Sequence, residues 1–130
     1  MTNPTAISIK DELKKLKFLS NRTPTTSSEE AKDAFATLAR YGDGGIFIAY
    51  YAGNSEWERH VSADEIVLVM EGETNLILLS RGEEIPNPLR EGEFLIVPKN
   101  IWHRFETTKS VKIFSVTPQP TEHSIEKPKL

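Results

Sequence analysis

The chain has 130 residues, of which 38% are hydrophobic, a formal net charge of -3 and no cysteine. This length fits a single domain, because a second core would be too small to be stable by itself. The lack of cysteine excludes disulfides, thiolate metal sites and cysteine nucleophiles. The acidic balance argues against nucleic acid as a partner, since contact with phosphate groups needs a basic surface.

The apolar runs of the sequence bear on its location. None of them approaches the roughly 18 apolar residues that a membrane-spanning helix needs. At the N-terminus, no basic segment leads into a long apolar stretch of the kind that marks a secretory signal. These patterns predict a cytoplasmic protein without membrane contact.

Two helix-start patterns lie near the N-terminus, one at Ser8 and a cleaner one at Ser27. The first predicts a short helix to about Leu19, and the second predicts a helix that ends before Gly42. Both rest on apolar residues at helical spacing, which are Ile9, Leu13 and Leu16 in the first and Ala31, Ala34, Phe35 and Leu38 in the second. Residues 1–44 are therefore predicted to form a helical extension packed on the next domain.

The sequence changes character after Gly42, where short β-prone runs begin. The runs cover residues 46–51, 65–70, 75–79, 94–97 and 111–116, and turn-forming residues such as Pro86-Asn87-Pro88 separate them. Many short strands without intervening helices predict an all-β sandwich or barrel over residues 45–118. Residues 119–130 are rich in proline and polar residues and are predicted to be an extended C-terminal tail.

Residues 57–65 carry the first group of chemically capable side chains. Glu58 and His60 share one face of a strand, because side chains alternate along it. A four-residue turn over 61–64 would make His60 and Glu65 neighbours across a hairpin, with Cβ atoms roughly 4.5–5.5 Å apart. An imidazole and a carboxylate at that separation can share an ion about 2.0–2.2 Å from each.

His103 is a third candidate ligand. Pro98 ends a predicted strand, Lys99-Asn100 forms a turn, and His103 begins the next strand. With His60 and Glu65 it makes a set of two histidines and one carboxylate, which leaves coordination positions open for a substrate and oxygen. We predict one divalent transition metal at this set, iron, manganese, nickel or zinc. The alternative is a hydrogen-bonded pair of His60 and Glu65 without metal.

The strand that begins at Glu65 is apolar on both faces. Val67 shares the face of Glu65 and is predicted to line a small-molecule pocket, together with Trp57 and Trp102 as flat walls. Core packing of the tryptophans is the alternative. The opposite face carries Ile66, Leu68 and Met70, which need cover, so a homodimer is expected.

His123 lies in the polar tail and is expected to be exposed. The alternative is that the tail folds back over the mouth of the barrel and brings this histidine near a ligand.

The spacing of these residues resembles the first motif of the cupin family. That motif is a glycine, five residues, His-x-His, three or four residues, a Glu, six residues and a glycine. His60, Glu65 and Gly72 match its second half. Glu58 stands where the family has its first histidine, and it is interpreted as a catalytic base or a fourth ligand, unless it is turned outward.

The second cupin motif is a glycine, five residues, Pro-x-Gly, two residues and a His. Gly92, Pro98 and His103 match it, and Asn100 takes the place of the middle glycine. The resemblance covers about residues 45–118, and the chain as a whole resembles small single-domain bacterial cupins. It implies a double-stranded β-helix, a jelly-roll-like barrel that is commonly dimeric and binds a metal inside.

The resemblance implies a function at the level of a class. The chain is expected to be a metal-binding small cupin that acts on, or binds, a small organic molecule in the barrel mouth, with dioxygenase- or isomerase-like chemistry. The alternative is a non-catalytic, metal-free module that binds or senses a small molecule.

Overall fold

The computed structural model describes residues 3–129 and is built mainly from β-strands. Met1 and Thr2 of the predicted N-terminal extension and Leu130 of the predicted C-terminal tail lie outside the described residues. Within the described chain the elements are α1 (Ile9–Lys14), β1 (Leu19–Arg22), α2 (Ser28–Ala31), β2 (Phe35–Tyr41), β3 (Gly44–Asn54), β4 (Trp57–His60), β5 (Glu65–Ser80), β6 (Glu83–Arg90), β7 (Phe94–Val97), β8 (His103–Thr117) and β9 (Thr121–Ser124). Neither helix of this part of the chain has the length and apolar character needed to cross a bilayer.

The nine described strands belong to one sheet that rolls over on itself. One path through the sheet runs β1-β3-β8-β4-β9, while β2 pairs with β3, and β5 pairs with β6, β7 and β8. The long strands β5 and β8 are antiparallel, and their register shifts between Val69 and Glu71 and between Gly72 and Asn75. Such bulges bend a strand. The all-β prediction is confirmed, although the roll stays open and is not a closed barrel.

The core fills the inside of the roll. Val67 and Val69 of β5 are fully buried, as expected for the inward face, whereas Ile66 on the opposite face, which was expected to be covered, is exposed in the single chain. Aromatic and aliphatic side chains from β3, β6, β7 and β8 complete the main cluster, among them Tyr51, Leu89, Val97, Phe105 and Ile113. Burial of this apolar surface is the main favourable term in folding.

The predicted second helix is wrong over most of its length. Ser27 does cap a helix, and its capping box with Glu30 is present, but α2 ends at Ala31. The following residues form β2, which pairs with β3 from Phe35 opposite Ala49 to Tyr41 opposite Gly44. Pairing with a buried neighbour strand overrides the modest helix preference of alanine and leucine.

The predicted turn at Pro86-Asn87-Pro88 is also wrong, because this segment lies inside β6. Among the described strands, β6 pairs only with β5 and so forms an edge. Proline is tolerated in an edge strand, since the missing N–H can face away from the ladder.

Parts of both terminal segments join the sheet. From residues 1–44, β1 pairs parallel with β3, and β2 pairs antiparallel with it. From residues 119–130, β9 pairs antiparallel with β4, with Thr121 opposite His60 and His123 opposite Glu58. The division of the chain at residues 44 and 118 remains a prediction.

Candidate metal centre and cavity

His60, Glu65 and His103 meet inside the roll. Nε2 of His60 lies 3.3 Å from Oε1 of Glu65, and Nε2 of His103 lies 3.1 Å from the same oxygen. One ligand atom from each residue lies within 4.8 Å of the other two. All three residues are buried, with exposed fractions of 3%, 6% and 1%. The structure therefore brings together the three residues that the sequence singled out.

The route by which these residues meet differs from the prediction. In the described chain, β4 pairs with β8 and β9, whereas β5 pairs with β6, β7 and β8. His60 and Glu65 are thus not cross-strand neighbours of one hairpin. Glu58 of β4 pairs with His103 at the start of β8, whereas Ile66 of β5 pairs with Val116 near its end. The connection over 61–64 therefore joins strands at opposite ends of β8, and the two side chains approach each other across the interior.

The turn after β7 holds this connection in place. The N–H of Asn100 donates to the carbonyl of His60 at 2.8 Å, and the N–H of Lys99 donates to Oδ1 of Asp64 at 2.9 Å. Asn100 has a φ of 70°, in the left-handed region that asparagine tolerates better than most residues. This explains how asparagine can stand where the cupin motif has a glycine. The predicted order of strand end, turn and new strand at His103 is confirmed.

The ring of His103 is oriented by a backbone carbonyl. Its Nδ1 lies 2.9 Å from the carbonyl oxygen of Ile101. A carbonyl only accepts, so Nδ1 carries a proton and donates it. In the neutral ring, Nε2 then has a free lone pair that is directed toward Glu65.

The C-terminal segment orients His60 in the same way. Nδ1 of His60 lies 3.0 Å from Oγ1 of Thr121, and that hydroxyl donates to Oε1 of Gln119 at 3.3 Å. Since the only hydroxyl proton is used there, Thr121 accepts from Nδ1–H of His60. Nε2 of His60 is again the atom with the free lone pair.

Glu65 completes the arrangement. Its Oε2 accepts a 2.6 Å hydrogen bond from the Thr117 hydroxyl, which leaves Oε1 to face the two rings. Burial raises the pKa of this carboxyl, but His103 and His60 outweigh burial and bring the pKa to about 2. For His103, burial lowers the pKa, but the neighbouring Glu65 carboxylate raises it by more, so that the pKa lies above its ordinary value. Glu65 is therefore a buried carboxylate at neutral pH.

The inward atoms fit a metal ion. Within the described residues, Nε2 of His60, Oε1 of Glu65 and Nε2 of His103 are buried and have no hydrogen-bond partner. Buried polar atoms without partners are rare and costly. Two imidazole lone pairs and a carboxylate oxygen are ligands that transition metals prefer. Each ligand is also held by an outer hydrogen bond, as is usual in metal sites. The group can therefore bind a metal.

A cavity of about 490 Å³ opens beside this group. Glu65, Thr117 and Thr121 line it at the metal-competent end, and Glu58 lies in its wall. Glu58 is half-buried, and the structure records no ion pair for it among residues 3–129. Its carboxylate is not one of the three grouped ligands. The volume is in the range of small-molecule sites.

The predicted pocket walls are not in this cavity. Trp57 and Trp102 pack with Ile77 and Leu79 in a separate cluster outside it. Arg104 and Arg59 lie over the two indole rings, at 5.3 Å and 4.7 Å from the ring centroids. Trp57 precedes the cavity-lining Glu58 in β4, and strand alternation turns it to the other face, while Trp102 lies just before β8. The alternative interpretation, core packing, describes them better.

Val67 also does not line the cavity among the described residues. It is 0% exposed and belongs to the main core cluster. The cavity is lined further along β3 and β8 instead, by residues such as Ala49, Tyr51, Phe105 and Ile113.

The hydrogen-bond partners of the ligands were not among the predicted site residues. Thr117 and Thr121 hold Glu65 and His60, and Arg22 and Tyr51 line the cavity. No local pattern marks these residues, because they come from strands that meet only in the folded chain.

His123 borders the cavity, because its strand β9 folds back on β4. Its side chain is half-exposed, and its Nδ1 lies 2.7 Å from Oε1 of Glu56.

The fold and the site define a class of protein. A family model described as the cupin domain matches residues 48–117, more than half of the chain. The chain therefore belongs to the cupin family, and its rolled sheet is the double-stranded β-helix that the motifs implied.

Three known proteins illustrate the relationship. A cupin-2 domain protein from Shewanella frigidimarina NCIMB 400 is 26% identical, with a TM-score of 0.56 over 66% of this chain and 80% of that chain. The uncharacterised protein YdbB of Bacillus subtilis (strain 168) is 24% identical over 86 residues, which are 66% of this chain and 74% of the relative. The hydroquinone 1,2-dioxygenase PnpCD, solved with Cd²⁺ and 4-hydroxybenzonitrile, shares the fold at 19% identity and a TM-score of 0.55, over 65% of this chain and 63% of that chain.

Proposed function

We propose that this cupin binds one divalent transition metal through His60, Glu65 and His103 and acts on a small organic molecule in the adjoining cavity. The observation that carries the proposal is the convergence of three buried ligand atoms without hydrogen-bond partners. A metal ion would satisfy all three at once, whereas a proton between one histidine and the carboxylate would leave the other ring nitrogen unpaired.

The chemistry assigned to the site is dioxygenase- or isomerase-like. When bound, the metal supplies Lewis acidity or oxygen activation at open coordination positions. The hydrogen bonds from Thr117 and to Thr121 keep the ligands in position, and the apolar cavity wall excludes water from the bound molecule. Glu58 faces the same space outside the ligand group, so we assign it the role of a base that moves a proton on that molecule.

Metal analysis tests the proposal with a matched control among the three histidines. Protein purified without a chelating column is stripped with EDTA and titrated with Fe²⁺, Mn²⁺, Ni²⁺ and Zn²⁺ under anaerobic conditions. We expect about one ion per chain, as in mononuclear sites of this ligand type. His103→Ala should abolish this binding, and His123→Ala should retain it.

Two results of that titration would contradict the proposal. The first is failure of the folded wild-type protein to bind any of the four metals. The second is equal metal binding by His103→Ala and the wild type. Either result would favour the metal-free binding module, in which His60 and Glu65 form a hydrogen-bonded pair.

A homodimer and a cytoplasmic location are part of the proposal. The dimer is supported by an apolar ridge on β5 and β7, where Ile66 pairs with Ile96 and Phe94 pairs with Leu68. Phe94 is 61% exposed and Ile96 is 49% exposed, and a second copy of the chain would cover them. Light scattering should give a dimer mass for the wild type and a monomer mass for Phe94→Glu. A monomeric wild-type protein would contradict the dimer.

A further inference from the structure

Arg22 is a cation in the cavity that the site described so far does not use. Its side chain lines the cavity, and no carboxylate of residues 3–129 forms an ion pair with it. Its Cζ atom lies 4.6 Å from the ring centroid of Tyr51 and 4.9 Å from that of Phe35. Cation–π contacts of this kind hold the planar guanidinium in place. Its N–H donors remain available to a ligand.

The backbone is shaped to bring Arg22 to this position. Strand β1 runs parallel to β3, with Arg22 beside Gly53. A Cβ atom at position 53 would overlap the backbone of Arg22. Gly53 also has a φ of 107°, which L side chains rarely adopt. The glycine thus permits the close approach through which a residue of the N-terminal segment reaches the cavity.

Tyr51 supplies a second unused polar group beside Arg22. Tyr51 is 1% exposed, and its buried hydroxyl lies close to the side chains of Arg22 and Thr107 but forms no hydrogen bond of good geometry in the described chain. A buried hydroxyl of this kind is expected to be satisfied by a ligand or an ordered water. Arg22 and Tyr51 line one cavity and contact each other, so their donors can converge on one acceptor group.

The charges and surfaces of the cavity limit what that acceptor can be. Arg22 is its only arginine or lysine in the described chain, and Glu58 and Glu65 also line it. A single guanidinium matches the charge of one carboxylate and its two-oxygen geometry, whereas a dianionic phosphate group would be poorly balanced. The remaining wall is largely apolar and includes Phe105 and Ile113, which suits a hydrocarbon or aromatic body.

We propose that Arg22, with Tyr51, binds the carboxylate of a small organic acid whose apolar body extends toward His60, Glu65 and His103. The claim that the other end of the molecule reacts at the metal centre rests on the proposed function, but binding of the carboxylate by Arg22 needs no metal. The substrate class is therefore an aromatic or branched aliphatic monocarboxylate.

Calorimetric titration of the metal-free, full-length protein with three probes tests the assignment. Benzoate carries the carboxylate, benzamide is its neutral counterpart, and phenyl phosphate carries the larger charge. We expect benzoate to bind at least about tenfold more tightly than either of the others, the usual size of one charge-assisted hydrogen-bond pair. Equal binding of benzoate and benzamide, tighter binding of phenyl phosphate, or no benzoate binding would overturn the assignment.

Substitutions locate the effect. Arg22→Gln should lower benzoate affinity at least about tenfold and leave benzamide affinity unchanged. The matched control is Arg40→Gln, because Arg40 is exposed on β2 and does not line the cavity. Arg22→Lys, which keeps the charge without the two-pronged geometry, should retain part of the affinity and serves if the glutamine variant folds poorly. Unchanged benzoate affinity in folded Arg22→Gln would overturn the assignment.

Metal titration of the same variants separates this inference from the proposed function. Arg22→Gln should bind metal as the wild type does, because Arg22 is not among the grouped ligands. A wild-type protein that prefers benzoate and binds no metal would retain the carboxylate site and lose the metal centre. A protein that binds metal without preferring benzoate would retain the metal centre and lose the carboxylate site.

Discussion

Nε2 of His103 lies 3.1 Å from Oε1 of Glu65, although the two residues belong to opposite ends of one antiparallel ladder. At one end Ile66, next to Glu65, pairs with Val116, and at the other end Leu78 pairs with His103. A flat ladder would hold the two side chains far apart, because each residue adds about 3.3 Å along a strand. The bulges in β5 and β8 roll the ladder until its ends meet. The site is thus a product of sheet curvature.

The outer hydrogen bonds to the ligands should control metal affinity. Thr117→Val removes the hydroxyl that donates to Glu65 and should weaken metal binding about 10- to 100-fold, the usual cost of losing an outer partner. Thr108→Val is the control, because Thr108 lies exposed on the same strand. Competition titration with a chelating dye measures both, and equal affinities would contradict the role of Thr117.

Glu58 should be dispensable for metal binding. Glu58→Gln removes a carboxylate that lies outside the ligand group, so calorimetry should show unchanged metal affinity. Glu65→Gln removes an inward ligand oxygen and should abolish binding, because an amide oxygen is a far weaker ligand than a carboxylate. A loss of affinity in Glu58→Gln would identify Glu58 as a fourth ligand and remove the case for a base.

Metal should stabilise the folded chain by binding to it alone. At a free concentration 100 times the dissociation constant, the expected gain in the free energy of unfolding is about 2.7 kcal/mol. Thermal unfolding with and without Zn²⁺ measures it. In His60→Ala the metal-dependent shift should disappear, while His123→Ala should shift as the wild type does. A shift that survives in His60→Ala would mean that the ion binds elsewhere.

Gly53 should contribute to stability through its contact with Arg22. Gly53→Ala adds left-handed backbone strain of about 1–3 kcal/mol and an overlap with the Arg22 backbone. Gly92→Ala is the matched control, because Gly92 also has a positive φ, 82°, but no atom of another residue in the described chain lies within 4 Å of the added Cβ. Urea unfolding should give a larger loss for Gly53→Ala. Equal losses of stability in the two variants would mean that backbone strain alone, and not the contact with Arg22, accounts for the effect.

Tyr51 should make stability fall at alkaline pH. Burial raises its pKa to about 12, partly opposed by the nearby Arg22 charge and reinforced by Glu58. A tyrosine in the unfolded chain has a pKa of about 10. Because the folded value is the higher one, the unfolded state ionises first as the pH rises. The contribution is complete below about pH 10 and falls by about 1.4 kcal/mol per pH unit toward 12.

Urea unfolding at several pH values between 9 and 11 measures this dependence. Tyr51→Phe should show a shallower decline than the wild type, because it removes the group whose ionisation favours the unfolded state. Parallel declines in the two proteins would show that Tyr51 is not protected from ionisation.

The sequence pattern predicted burial well where the alternation of side chains along a single strand determines it. The alternation assigned Glu65 and Val67 to one inward face, and both are buried, whereas Ile66 on the face predicted to need cover is exposed, because successive side chains of a strand point to opposite faces. It was a poor guide at Phe35–Tyr41, where alanine and leucine suit a helix or a strand and only pairing with β3 decides. It also misplaced Trp57 and Trp102: neighbours in a strand such as Trp57 and Glu58 point to opposite faces, and Trp102, just before β8, packs in the same outer cluster as Trp57.

By itself, the sequence determined the all-β class, the cupin motifs and the candidate set of His60, Glu65 and His103, because strand periodicity and motif spacing are local properties. Only the tertiary structure decided that β4 joins β8 and β9, that threonines 117 and 121 orient the ligands, and that Arg22 reaches the cavity. These relationships join residues far apart in the chain. They depend on which strands pair and how strongly the sheet curves, and neither property is written in any single segment.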